Sequence, residues 1–416
     1  MVRHAFATVP FYRQAIERLG ASPRDFVDVS DLARLPILER ADLQLAPETV
    51  RSSAYGPADG MVLRSSGSST GAPRRILHDQ RAILLNAAHG ERERSIVVRI
   101  VGRATGYREA VFTMLHSTTM EVQEHLQNRL RLPGRFAVQR AYFPLDDQLD
   151  ENVRRLAEFR PQVVHGYGSH IGCLLRRAAE LGRVPPELRV VSYSSDGMSE
   201  PDRRFITEQL GIPVLCTYQA VEAFKIGFEC GESQGLHVND DLYPIRIVDQ
   251  EGRDAPAGES GVVIVSNLVN RATVLLNYRI GDRAALLPGR CPCGRALPRM
   301  TLPLGREGEW IALLDGGRLH VQALHSLFRG EDRVLGFQIE QQSVGRLRIS
   351  LVGAPAVEPS AVEQRLRRRL VERLGQVAVE FEWVAALERT ADGKVRIVAA
   401  RNRGPERATP SATLDR

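Results

Sequence analysis

From residue 162 to residue 216 the chain alternates short apolar runs with helical stretches, and no other feature restricts the fold as much. Gln162-Val163-Val164-His165, Arg189-Val190-Val191-Ser192-Tyr193 and Pro213-Val214-Leu215-Cys216 read as short buried strands. Helical patterns near Ile171 to Leu181 and Pro201 to Leu210 separate them. Strands joined through helices pair side by side in the same direction, so this stretch predicts an α/β sheet.

The surrounding text fits around that core. Pro10 at a first helical position, Tyr12, Ile16 and Leu19 at helical spacing and a closing Gly20 predict a helix over 10–20, and a capped turn with a Pro break follows over 29–38. A single long helix is expected from Ala82 to Ile100. After Leu236 the texture turns to strands at 245–248 and 261–265 with a turn at Asp249 to Gly252. Further on, 337–340, 347–351 and 377–384 read as strands and 361–374 as a helix, which makes a separate small α+β domain. The polar, glycine-bearing run Leu304-Gly305-Arg306-Glu307-Gly308 marks the boundary. The expected domains are a large one over 1–304 and a small one over 305–402, with a disordered tail over 403–416.

Composition removes several classes of function. The apolar and charged shares, 43% and 25%, are those of an ordinary globular protein, and no run of about 18 apolar residues exists to span a bilayer. Met1-Val2-Arg3-His4-Ala5 opens an amphipathic segment rather than a signal peptide, so a cytoplasmic protein is expected. The five cysteines, with no framework spacing, argue against a secreted disulfide scaffold. The excess of 56 basic over 50 acidic residues is modest and interspersed, which argues against nucleic acid as a partner. Only Lys225 and Lys394 are lysines, so 56 − 2 = 54 basic residues are arginine, and a lysine retained in such a chain points to a need for a compact ammonium.

One loop carries phosphate-binding chemistry: Ser65-Ser66-Gly67-Ser68-Ser69-Thr70-Gly71, closed by Pro73-Arg74-Arg75. Glycines let the backbone approach a ligand closely, and hydroxyls and N–H groups point at anionic oxygens. It is not a Walker A loop, since no Gly-Lys-Ser/Thr follows. By itself it reads equally as a Ser/Gly surface loop.

Further strings follow in order: Tyr218-Gln219-Ala220-Val221-Glu222, Tyr278-Arg279-Ile280-Gly281-Asp282, Gly305-Arg306 and Asp392-Gly393-Lys394-Val395-Arg396. Singly each is an ordinary strand end or turn. As a set they resemble the core motifs of the adenylate-forming superfamily, which includes acyl-CoA synthetases, peptide-synthetase adenylation domains and luciferases. His4-Ala5 through Val9-Pro10-Phe11-Tyr12 to Leu35-Pro36-Ile37-Leu38, with Glu229-Cys230 to Gly235-Leu236-His237, narrow the resemblance to the phenylacetate-CoA ligase-like branch.

That resemblance implies a large N-terminal α/β domain and a small mobile C-terminal one. It implies ATP, Mg²⁺ and CoA as cofactors and an aryl or other small carboxylic acid as substrate. The loop Ser65 to Gly71 would hold the β and γ phosphates, and Glu222 would coordinate magnesium. Tyr218 would pack on adenine, Asp282 would take the ribose hydroxyls, and Arg306 would lie near ribose and phosphate. Lys394 would reach the carboxylate and α-phosphate during adenylation. The resemblance also leaves open an amine as acyl acceptor and a homodimer as assembly. From a different class, a catalytically impaired scaffold stabilised by zinc, or an Arg-rich nucleic-acid binder, is the competing reading.

Cys291-Pro292-Cys293-Gly294 is a knuckle-like turn, and Cys230 with His237 completes a Cys₃His set if the strands converge. Relatives in this branch resemble it there, which implies structural zinc; buried free thiols are the alternative. Cys173 and Cys216 fall in core patterns. Lys225 lies three residues after Glu222, where a surface ion pair between them is the plain expectation and a place at the substrate carboxylate the sharper one. His165 borders the acyl pocket or makes a structural hydrogen bond. The run Arg365 to Leu370 reads as a solvated helix face.

The pattern departs from the family at three places. The loop is one residue longer and ends in Arg74-Arg75 where many relatives have lysine. Gln219 and Val221 replace the usual glycine and hydroxyl residue, and Gly308 stands at the hinge without a charge.

Overall fold

In the computed structural model the described residues are 1–64, 74–115, 117–129, 138–232, 235–307, 310–314, 316–320, 324, 327–328, 331, 333–354, 357–390 and 393–400. The loop Ser65 to Pro73, Gly308, Asp392 and the tail over 403–416 lie outside them. Two compact units are present: Met1–Arg306 with Ala391–Lys394, and Glu307–Thr390 with Val395–Arg416.

The first unit is built on a nine-stranded sheet. From one edge the order is Gln139–Pro144, Arg108–Thr113, Val163–Tyr167, Val190–Ser194 and Val214–Ala220, all parallel. Phe224–Phe228, Leu236–Val238, Arg299–Met300 and Leu286–Leu287 continue it antiparallel. Val190–Ser194 is buried at every position, as a parallel strand with a covered face on each side must be. Its continuous apolar text follows from that burial.

One face carries the largest core, with Phe112, Val164, Leu174, Leu175, Val191 and Ile226 among its members. The other is covered by the helix Glu91–Val101, whose Ile96 and Val97 pack with Val163, Val190, Leu215 and Phe228. Tyr12 ties the N-terminal helix Pro10–Arg18 to the body, its buried hydroxyl oxygen accepting from Leu276 N at 2.7 Å. A three-stranded antiparallel sheet of Ile245–Val248, Gly261–Val265 and Tyr278–Ala284 carries the Tyr278 to Asp282 string. In the second unit Ala378–Trp383, Arg346–Gly353, Val334–Ser343 and Val398–Ala400 form one sheet, against whose core the helix Pro359–Leu374 buries Val362, Leu366 and Leu370.

Two helical expectations change. The single helix over 82–100 is two, Gln80–His89 and Glu91–Val101, meeting at Gly90. Glycine is a poor helix interior residue, and a Cβ there would lie 3.2 Å from both Ala87 O and Lys225 Nζ. The helix over 201–210 is an α turn at Glu200–Arg204 running into a π turn at Phe205–Gln209. Among the described residues no helix is long and apolar enough to cross a membrane.

Candidate active site and a candidate metal centre

The strands Val214–Ala220 and Phe224–Phe228 form a hairpin whose turn is Val221-Glu222-Ala223. Phe224 closes the turn at φ +47°, a conformation that a bulky residue adopts only under constraint. The constraint is visible: Phe224 lies against the buried His78 ring at 4.2 Å, and a His78 Nε2 donor meets Val221 O at 2.8 Å. Asn267 Nδ2 donates to Glu222 O at 2.9 Å. Ser195 and Asn277, also at positive φ, sit at the ends of neighbouring site strands, so among the described residues three of the four such non-glycine positions flank this region.

Glu222 is thereby held inside the protein, its side chain only 5% exposed. Arg74 donates to Glu222 Oε1 from Nε at 3.2 Å and from Nη2 at 3.0 Å. Arg74 directly follows the hydroxyl loop, whose flanking strands Gly60–Arg64 and Arg75–Asp79 pair antiparallel up to Arg64 and Arg75.

The Tyr278 to Asp282 strand brings its carboxylate to the same region. Tyr218 OH donates to Asp282 Oδ2 at 2.7 Å, and Arg306 Nε donates to Oδ1 at 3.1 Å. Burial and the Asp282 charge push the Tyr218 phenol well above its ordinary value, so it remains a donor. Gly305 and Arg306 are laid alongside by an Arg283 N to Gly305 O bond of 2.9 Å and an Asp282/Arg306 bridge. Tyr218, Glu222, Asp282 and Arg306, scattered over 89 positions of sequence (306 − 218 + 1), thus share one site.

Sequence reasoning missed Arg40. Its guanidinium lies beside Gly281, where a Cβ would come within 3.3 Å of Nη1, and Gly281 is at φ +84°. Burial, then the charges of Arg74 and Arg306, lower its pKa. The available signal was position: Arg40 follows directly on the Leu35 to Leu38 text. Three guanidiniums therefore gather about the carboxylates of Glu222 and Asp282, and this excess of positive charge suits an anionic ligand.

Lys225 does not pair with Glu222. Its Nζ donates to Glu93 Oε2 at 2.8 Å, while Glu222 sits in the turn before the strand and takes Arg74 as its partner. Lys394 follows Gly393, at φ +80°, in a turn closed by an Arg389/Val395 bridge.

A second constellation assembles at the antiparallel end of the sheet. Cys230 follows the strand Phe224–Phe228, His237 is central in Leu236–Val238, and Cys291 and Cys293 lie between the two last strands. Their donor atoms all fall within 4.8 Å of one another. Cys230 Sγ and Cys291 Sγ are 3.6 Å apart, and Cys293 Sγ and His237 Nε2 are 3.3 Å apart. With Zn–S near 2.3 Å and Zn–N near 2.0 Å, tetrahedral edges come out at roughly these lengths, so the donor set fits zinc.

The sheet, the small C-terminal unit and this site together define the fold of adenylate-forming enzymes, with a large α/β domain and a smaller C-terminal one. A solved 2-hydroxyisobutyryl-CoA ligase in its postadenylation state, in complex with R3-HIB-AMP, superposes with a TM-score of 0.75, covering 96% of this chain and 87% of its own, at 19% identity. Residues 312–401 match the CapK C-terminal domain family. In sequence the chain is similar to phenylacetate-coenzyme A ligases. That of Thermus thermophilus is 26% identical over 328 residues, covering 75% of this chain and 69% of the relative. That of Pseudomonas putida is 27% identical over 324 residues, with the same shares.

Proposed function

We propose that the protein is an AMP-forming acid–thiol ligase: it adenylates an aryl or other small carboxylic acid with ATP and passes the acyl group to CoA. One observation carries the reading: Tyr218, Asp282 and Arg306 form a hydrogen-bonded unit near the Glu222–Arg74 pair, all within one compact unit. Similarity to phenylacetate-CoA ligases supports it.

In the first half-reaction a carboxylate oxygen attacks the α-phosphorus, the bond to the bridging oxygen breaks, and pyrophosphate leaves. The protein's task is to position reactants and neutralise charge. Asp282 accepts from the ribose hydroxyls, Tyr218 packs on adenine, and Arg306 holds the sugar and phosphate side. Ser65 to Gly71 cradle the outer phosphates. Magnesium would supply charge neutralisation on the triphosphate. Glu222 would be its ligand, and the fit is to metal joined to phosphate: a lone dication beside Arg40 and Arg74 would meet like charge, which the triphosphate would offset. Lys394, in the segment Ala391–Lys394 that groups with the large unit, serves the carboxylate and α-phosphate. In the second half-reaction the CoA thiolate attacks the acyl carbon and AMP leaves. Cys230, His237, Cys291 and Cys293, whose donor atoms cluster, would hold structural zinc.

ATP–pyrophosphate exchange over a panel of acids, followed by product analysis with CoA and with amines, tests this. Exchange and a CoA thioester are expected. Product from amines alone would make the protein an amide ligase. Exchange with no acid, together with salt-sensitive retention on DNA, would remove the ligase reading.

A further inference from the structure

A charged cluster that the adenylation chemistry does not use lies beneath the helix Glu91–Val101. Glu93 Oε2 accepts from Lys225 Nζ at 2.8 Å, and Glu93 Oε1 accepts from Thr217 Oγ1 at 2.5 Å. Burial raises the Glu93 carboxyl, but Lys225, Thr217 and His165 together bring it below its ordinary value, so it is ionised. His165 is lowered, first by burial, and is neutral. The cluster opens outward at Lys225, whose side chain is 31% exposed against 13% for Glu93.

The sheet continues the cluster as a polar row. Tyr142, Val111, His165 and Ser192 stand in register across four adjacent parallel strands. The Tyr142 hydroxyl and Ser192 Oγ are buried, with no hydrogen-bond partner among the described residues. Buried hydroxyls are seldom left unbonded, so these two call for a partner that the described residues do not supply. Gln219 stands opposite Lys225 and donates from Nε2 to Ser194 Oγ at 2.8 Å. Ser194 and Gln219 lie toward the carboxyl ends of their strands, where α/β sheets bind ligands, and His165 and Ser192 stand at mid-strand beside them.

Reach ties the row to the proposed reaction. Lys225 is three residues from Glu222 on the same hairpin, a span of at most about 10 Å. A small acid bound beside the Glu222 turn therefore lies within that distance of Lys225. Charge then selects the substituent. One carboxylate and one ammonium balance, so a second carboxylate would add an uncompensated charge, while a bare ring would leave the hydroxyls unbonded. The slot also suits lysine, because the absence of a side chain at Gly90 leaves room for Nζ, which a Cβ there would approach to 3.2 Å.

We propose that Lys225, Glu93, His165 and Ser192 bind a neutral hydrogen-bonding substituent, a hydroxyl above all, at the far end of the acid. The substrates are then hydroxy-substituted small or aryl acids in preference to their unsubstituted parents. This assignment rests on the adenylation reading.

The test is pyrophosphate exchange with matched pairs, benzoate against 3- and 4-hydroxybenzoate and phenylacetate against 4-hydroxyphenylacetate, with 4-carboxybenzoate as the charged control. In the wild type the hydroxy acid of at least one pair should lead in kcat/KM by about tenfold or more, because a site built to hydrogen-bond a group rejects the analogue lacking it. The charge-neutral double variant Lys225→Met/Glu93→Gln should reduce that ratio to within about twofold. If the double variant does not fold, Ser192→Ala supplies the comparison and should also lower the ratio. A flat or reversed wild-type preference, leadership by 4-carboxybenzoate, or a ratio unmoved by the substitutions overturns the assignment while leaving adenylation standing. Exchange with no acid overturns the adenylation reading and this assignment with it.

Discussion

Arg74 places two of its N–H groups, Nε and Nη2, on a single oxygen of Glu222, Oε1, with both side chains almost wholly removed from water. The arginine closes the hydroxyl loop and the carboxylate sits at a hairpin turn 148 residues later, so the pair fastens two segments that converge only in the fold.

Removing either partner leaves the other charge buried and uncompensated. Arg74→Ala and Glu222→Ala should each lower the unfolding free energy by about 3–5 kcal/mol, while the double variant Arg74→Met/Glu222→Gln should lose less than the sum. Urea denaturation of the single and double variants measures the coupling, and additive losses would contradict the pairing.

Lys394→Ala separates the two half-reactions. Pyrophosphate exchange should fall by about a hundredfold or more, as expected when a charge-stabilising group is removed. Thioester formation from supplied acyl-adenylate and CoA should persist. Equal loss of both steps would place the lysine in a different role.

The four-residue cluster at the antiparallel end of the sheet makes a compositional prediction. Purified protein should carry about one zinc per chain, the stoichiometry of a closed Cys₃His site. Cys293→Ser should lower both zinc content and melting temperature, with ATP affinity little changed, since the nucleotide residues sit on other strands. Metal analysis finding no zinc would remove the assignment.

His78 supplies a pH dependence of stability. Burial pushes its pKa down to about 4, against the smaller opposing effects of the Val221 carbonyl and the Asp79 and Glu222 charges. Above about pH 6.5 the ring is neutral folded and unfolded, and contributes no slope. Between about 6.5 and 4 the unfolded chain takes up the proton and the folded one does not, so stability falls with pH, by on the order of 3 kcal/mol at the lower end. Chemical denaturation at pH 7 and pH 4.5 should show a smaller loss in His78→Gln than in the wild type.

Much of the fold was legible because burial on both faces leaves a mark in one dimension. Val190 to Ser194 reads as a strand without any partner in view, and the helix patterns between such runs imply the parallel half of the sheet. The close approach of Gly90 to Lys225 was not legible, since the two are 135 residues apart. The π turn at Phe205–Gln209 likewise follows no local rule that a periodicity count detects.

The site divides along the same line. Tyr218, Glu222, Asp282 and Arg306 were readable only through the resemblance of their strings taken as a set, and Cys291 and Cys293 through their knuckle-like spacing. Arg40 lacked such a string, and Lys225 was assigned the wrong partner because its spacing from Glu222 was read as helical. The sequence by itself determined which groups the protein has to work with and the secondary structure that carries them. Only the tertiary structure decided that Arg74 meets Glu222, that Lys225 meets Glu93, and that three guanidiniums surround two carboxylates. Those pairings are set by sheet register and strand order, and electrostatic interaction depends on distance in space, which spacing along the chain does not encode.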